Sequence, residues 1–259
     1  MSIPPSQPPS HENSQPIQVE PPRQQVVWEV PAKIPWVSYT LLGLTTLVFL
    51  LQLGTQSLLG YDLPAAAGAK VNELIVAGQY WRLITPVFLH ANFMHFGFNM
   101  YALFVLGPGL ERLYGHERFI YLYFLGALAG NTFSFIFSPN PSLGASTAIF
   151  ALLAGQVVYI YQNRKIYRNS RAMLTNVLVI LGINLLFSLS GIVDFWGHIG
   201  GLVGGLAFSW MAGPLWQVRE SPTGRIVVDT RSIQKSRIVA GSLFFYFLLM
   251  AAFGIYKKQ

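Results

Sequence analysis

Cysteine is absent from this 259-residue chain, which removes disulfides, thiolate nucleophiles and cysteine-ligated zinc together. Charge is nearly as scarce: 10% of the residues are Asp, Glu, Lys or Arg, where soluble domains carry about 25%. There is no His-Glu-x-x-His pair to hold a catalytic zinc and no pair of aspartates inside the apolar runs. No metal site and no cofactor is therefore expected. The first residues lack the charged start and apolar stretch of a secretory signal, so none is expected.

What fills the chain is apolar. Hydrophobic residues make up 53% of it and the mean hydropathy is +0.45, a composition suited to a bilayer. Residues 1–35 differ. They hold most of the prolines among Gln, Ser and Glu, and bury too little to offset the entropy of ordering. A disordered Pro-rich tail is expected there, with His11 inside it.

A spanning helix needs roughly 20 largely apolar residues. Seven runs qualify, at about 37–59, 92–110, 118–138, 146–162, 173–190, 195–213 and 238–256. An all-α membrane protein of seven spans is expected. Its divisions are the tail 1–35, a six-helix core over 36–213, a basic linker over 214–237, and a seventh span with a short outer end over 238–259.

The cations give an orientation. With the tail in the cytoplasm, inner segments hold 13 Lys and Arg; the outer side holds Lys70, Arg82, Lys257 and Lys258. The positive-inside rule favours that arrangement, with the C-terminus outside. The net charge of +7 thus reads as membrane topology, and nucleic-acid binding is not expected.

In this orientation the second, fourth and sixth spans all begin at the outer face. Near the start of the second stand His90, His95 and Asn99, the last two four apart and so on one helix face. The fourth opens at Ser146, after Gly144, and the sixth carries His198 about one turn in. Polar groups in a membrane helix are costly and generally face the bundle interior or a wet cavity. Gly197, Gly201 and Gly205 form a small-residue stripe on the sixth span, and Ala148, Ala151 and Gly155 a smooth face on the fourth, which would let the backbones approach closely.

Any one of these residues has a plain structural explanation, since a serine at a helix start is commonly a cap and glycine stripes pack helices. Three helices delivering a hydroxyl, an imidazole and amide-type donors to one depth is a more specific pattern. A serine nucleophile needs a base for its proton and donors for the oxyanion that forms. At a helix start the Ser146 amide is itself an unpaired donor. Seventeen residues at 1.5 Å each span roughly 25 Å, less than the hydrocarbon thickness of about 30 Å. Ser146 is therefore expected below the outer surface, on the floor of a wet indentation.

On these residues the sequence resembles the rhomboid family of intramembrane serine proteases. The matching elements, in order, are "YWRLITPVFLH", "HANFMHFGFN", "LERLYG", "GASTAIF" and "GHIGGLVGG", within residues 36–213. The resemblance implies a Ser146–His198 dyad without an acidic third member, cleaving single-span membrane proteins near the outer face through an acyl-enzyme. It implies His95, Asn99 and the Ser146 amide as oxyanion donors, His90 in an auxiliary polar role, and Gly201 and Gly205 as packing glycines. Trp81 and Arg82 match a loop in the outer lipid interface. Glu111 and Arg112 match the inner end of the second span, with hydrogen bonding to the next loop implied. By the same analogy the fifth span is a lateral gate. The partners implied are transmembrane substrates and lipid; the oligomeric state is left open.

Two positions depart from the common family pattern. Thr147 stands where many members have glycine, adding bulk and a hydroxyl that would bear on substrate access. Phe150 stands where many have tyrosine; it can still stack on His198 but offers no hydroxyl. Asp194, four residues before His198, invites a triad, but a solvated loop acid is the reading adopted. His116, among charged neighbours, reads as an inner-loop residue.

A pseudoprotease of the same fold is the first competing function; such proteins generally lack the serine or the histidine, and both are present here. A transporter is the second, but the polar groups gather near one face and no internal repeat of the transporter kind is evident.

Overall fold

The computed structural model describes residues 26–28, 34–191, 193–222 and 224–259. Most of the expected disordered tail lies outside these residues. In chain order the elements are β1 (Val26–Trp28), α1 (Trp36–Leu59), α2 (Leu63–Gly68), α3 (Asn72–Val76), two 3-10 turns (Tyr80–Leu83 and Thr85–Phe88), α4 (Phe93–Tyr114), α5 (His116–Phe137), α6 (Ser146–Gln162), α7 (Ser170–Ser188), α8 (Phe195–Ala212), β2 (Trp216–Ser221), β3 (Gly224–Asp229) and α9 (Ile233–Lys258). Five helices, α1, α4, α5, α7 and α9, are long and apolar enough to cross a membrane. Helix α6, at 17 residues, is shorter, and α8 carries His198 and five glycines within 18 residues.

Helices α5, α6 and α8 make the centre, and glycine makes it possible. A Cβ on Gly201 would fall 2.1 Å from the Thr147 carbonyl oxygen, and one on Gly205 2.5 Å from the Ala151 Cα. The opposite edge of α8 is as tight: a Cβ on Gly200 would lie 2.5 Å from the Ala129 carbonyl oxygen of α5. So α8 is wedged between α5 and α6 with backbone against backbone, the contact that small residues allow in lipid. Around this centre, α1, α4, α7 and α9 present large apolar side chains outward, among them Leu58, Tyr101, Ile183 and Phe245.

Caps set the helix ends. Asn92 accepts from the His95 N–H (2.9 Å) and Asp194 from the Gly197 N–H (2.9 Å), each serving an amide with no carbonyl inside its helix. Helix α1 is capped from a distance. The fully buried Glu111 carboxylate, near the end of α4, accepts from the Val37 and Ser38 amides (3.0 and 2.7 Å) and from the Ser38 hydroxyl (2.6 Å). Its other neighbour is His116 Nδ1 at 2.6 Å, whose ring lies beside Trp36. Glu111 thus ties the start of α1 to α4, a longer reach added to its bond to His116, just past the end of α4. His116 is the first residue of α5.

The all-α expectation needs one correction. Strands β2 and β3 pair antiparallel, Trp216 opposite Asp229 and Arg219 opposite Ile226, and β1 adds to β3 in parallel. The stretch 214–237, read from sequence as a basic linker, therefore carries a hairpin. Arg118 fastens it to the helices: its guanidinium donates to Asp229, to the Arg231 carbonyl (2.5 Å) and to the Ser236 hydroxyl (2.7 Å).

The loop between α1 and α4 is built around two buried cations. Arg82 donates to the Ala66 and Ala69 carbonyls, both at 2.7 Å, while Trp81 beside it is exposed. Lys70 exchanges backbone bonds with Ser142 (2.9 and 3.0 Å), and its Nζ donates to the carbonyls of Asn140 (2.6 Å) and Ser138 (3.3 Å). Burial pushes the Lys70 ammonium down to about 8. Two of the four cations assigned to the outer side are therefore interior groups, each with a structural task.

Candidate active site

The residues that lead to Ser146 are held before the helix begins. Gly144 donates its N–H to the Pro86 carbonyl (2.9 Å) and has φ +135°, a conformation that L side chains rarely adopt. A Cβ there would also lie 2.7–2.8 Å from the His95 ring. Glycine is required twice over, for the turn and for His95. Ser146 is then the first residue of α6, where the opening amides have no carbonyl partner within the helix and point toward the site.

His198, on the first turn of α8 and 5% exposed, sets its Nε2 2.8 Å from the Ser146 Oγ. Its ring lies flat on Phe150, one turn below Ser146, with centroids 4.2 Å apart and planes 15° apart. The other ring nitrogen, Nδ1, is 2.6 Å from the Ser188 Oγ at the end of α7. Ser188 donates in turn to the Asn184 carbonyl (2.7 Å). Asp194 does not reach the ring: one carboxylate oxygen caps α8, and no hydrogen bond between Asp194 and the His198 ring is present among the described residues. Sequence reasoning missed Ser188. The signal would have been a serine ending the fifth apolar run at the depth of His198.

His95 and Asn99 share one face of α4. The Asn99 amide donates to the His95 carbonyl (2.8 Å), which leaves its second N–H for another acceptor. His95 presents its Nε2 side toward Gly144, and a long contact of 3.5 Å links its Nδ1 to the Ala91 N–H.

His90 is buried at the loop before α4, its ring edge-on to Phe96 and 5.2 Å from His95 between centroids. Neither ring nitrogen has a hydrogen-bond partner among the described residues. Burial, aided by His95, pushes it down to about 3, so it is neutral at ordinary pH. Its backbone is gripped by Gln52 of α1, which accepts from the His90 N–H (2.9 Å) and donates to the His90 carbonyl (3.1 Å) and to Asp62 (2.7 Å). Gln52 is a second residue the sequence did not flag. Thr147 packs between the central helices: its Cβ lies against Gly130 of α5 and its methyl against Gly197. The added bulk over glycine therefore lies among the central helices.

The arrangement is a hydroxyl on an imidazole, with unpaired helix-start amides beside the oxygen, a set suited to nucleophilic acyl transfer. A family model described as "Rhomboid domain" matches residues 77–215. The chain is 41% identical over 172 residues to "Rhomboid protease GluP" of Bacillus subtilis (strain 168), covering 66% of this chain and 34% of the relative. It is 34% identical over 159 residues to "RHOMBOID-like protein 9, chloroplastic" of Arabidopsis thaliana, covering 61% and 37%. With "Rhomboid-like protease 1" of Toxoplasma gondii it shares 40% over 149 residues, covering 56% and 51%. The chain thus spans between a third and a half of these relatives' own lengths. With five apolar helices and a rhomboid domain, it is an integral multi-pass membrane protein.

Proposed function

The chain belongs to the rhomboid family, and from that premise we propose that it is an intramembrane serine endopeptidase that cleaves single-span membrane proteins near the outer face. One observation carries the reading, the 2.8 Å approach of His198 Nε2 to Ser146 Oγ. A buried imidazole nitrogen within hydrogen-bonding reach of a serine at a helix start is what a nucleophile and its base require.

In the proposed reaction the Ser146 Oγ attacks the scissile carbonyl carbon while its proton passes to His198 Nε2. Negative charge gathers on the carbonyl oxygen, received by the Ser146 amide and by His95 and Asn99, which stand on the facing helix α4. The C–N bond then breaks, the proton on Nε2 goes to the leaving amine, and an acyl ester remains on Ser146. Water, giving a proton to Nε2, attacks that ester; as the bond to Ser146 Oγ breaks, the proton passes from Nε2 back to Oγ and the carboxylic acid product leaves. An intact substrate helix hides its carbonyls in its own hydrogen bonds, so small or helix-breaking residues at the cut are expected.

The membrane arrangement proposed with this has seven spans, α6 and α8 crossing with the other five. The tail 1–35 and the hairpin region 214–237 are cytoplasmic, residues 36–213 form the catalytic core, and the end of α9 is outside. The excess of Lys and Arg on the inner side supports it. A bacterial cytoplasmic membrane suits the pattern.

Cleavage of an end-tagged single-span substrate in liposomes tests the reading, comparing the full chain with Ser146→Ala and His198→Ala. Two defined fragments from the wild type and none from either variant are expected. Fragments persisting in Ser146→Ala would reject Ser146 as the nucleophile.

A further inference from the structure

We propose that Ser188 is the positioning residue for His198, a third member of the constellation that fixes the base in its working tautomer and ties it to α7. This rests on the proteolytic reading above. The argument begins with proton counting. A hydroxyl has one proton to give, and Ser188 gives it to the Asn184 carbonyl at 2.7 Å. With its proton on the Asn184 side, the Ser188 oxygen accepts from His198 Nδ1, 2.6 Å away. This arrangement puts the ring proton on Nδ1 and leaves Nε2 as a lone pair facing the Ser146 hydroxyl at 2.8 Å. In the opposite tautomer Nε2–H donates to the Ser146 oxygen, and no lone pair is left there to take the serine's proton.

Donation from a serine to the carbonyl four residues back is common at helix ends and by itself assigns nothing. Here the same oxygen also meets an imidazole, and it is 1% exposed, so bulk water does not replace it. The nearby acid, Asp194, is engaged as the cap of α8. Orientation of the base thus falls to a neutral oxygen, which also accepts from the imidazolium that forms during the reaction.

The location gives the contact a second meaning. Of the 19 residues of α7, two are buried, Val177 and Ser188. The rest of the helix faces outward or is only partly covered. Ser188 is where the least embedded helix reaches the site, so the tautomer of the base depends on α7 being seated. If α7 moves aside, Nδ1 loses its acceptor and the base loses its orientation. A site coupled in this way is fully formed only when α7 is closed against it.

The test uses the full-length chain in liposomes, with Ser188→Ala and the oxygen-retaining Ser188→Thr. Ser188→Ala is expected to lower kcat by about ten- to a hundredfold while KM changes less than about twofold. Ser188→Thr is expected to recover most of the loss. In parallel, 15N NMR of histidine-labelled protein should show His198 as the Nδ1–H tautomer in the wild type and as a mixture in Ser188→Ala. A Ser188→Ala kcat within about twofold of wild type, or an unchanged His198 signal, would overturn the assignment. If the wild type cleaves no better than Ser146→Ala, the proteolytic reading fails instead. The NMR comparison, which needs no substrate, then decides the Ser188 assignment alone.

Discussion

Phe150 lies flat beneath the His198 ring, centroids 4.2 Å apart and planes 15° apart, so that one face of the imidazole is fixed by an apolar ring while its two nitrogens are engaged by serines. Stacking sets the plane and the hydrogen bonds set the rotation within it. Loss of the stack should leave the ring free to tilt, and small misplacements of a reacting group cost up to about a hundredfold in rate. Phe150→Ala is expected to reduce kcat about ten- to a hundredfold, and Phe150→Tyr to remain near wild type. Steady-state cleavage kinetics check both.

The glycines of the centre give a sharper contrast. A Cβ on Gly201 meets a backbone oxygen at 2.1 Å, which only movement of α6 or α8 can relieve, and that movement separates Ser146 from His198. Gly201→Ala is expected to abolish cleavage and to cost about 1–3 kcal/mol of stability through overpacking. Gly182 of α7 has nothing within 4 Å of its Cβ position, so Gly182→Ala should fold and cleave normally. Apparent unfolding temperatures and cleavage rates for the pair separate packing from composition.

Lys70 connects the loop between α1 and α4 to the approach to Ser146 through the carbonyls of Ser138 and Asn140. Lys70→Met removes both bonds and leaves the backbone pairing with Ser142 to hold the segment. A fall in kcat of about fivefold or more is expected, with faster nicking by added protease between residues 138 and 143. Limited proteolysis followed by mass spectrometry reads the second effect directly.

His90 carries a pH prediction. In the folded chain it stays neutral down to about 3, whereas in an unfolded chain it takes up a proton near pH 6.5. Between those values the unfolded state binds the additional proton. The stability contributed by a neutral His90 is therefore complete above pH 6.5 and declines as pH falls through that window, by about 1.4 kcal/mol per unit. His90→Leu should lose less stability than the wild type between pH 6.5 and 4.5. Thermal unfolding in detergent at the two pH values measures the difference.

The convergence of Ser146 and His198 was legible because helical periodicity and a common depth are one-dimensional information. The glycine stripe indicated which faces would meet, although it named one packing edge of α8 where the structure uses two. Ser188 and Gln52 were not legible. Each is one of several polar residues in an apolar helix, and its partner depends on helix rotation, which spacing alone does not give. The cap on α1 was hidden for the same reason, its carboxylate lying 73 and 74 residues away in sequence. The hairpin is different. Trp216 and Val218 on one side and Ile226, Val227 and Val228 on the other flank Ser-Pro-Thr-Gly, a strand signal overlaid by the basic charge of the segment.

The most direct measurement is covalent labelling of the wild-type protein by a fluorophosphonate, with the adduct located by peptide mass spectrometry. An activated hydroxyl at residue 146 predicts modification of that serine and of no other, at a rate that collapses in His198→Ala. An adduct mapping elsewhere, or labelling of Ser146 as fast without the imidazole as with it, would contradict the account.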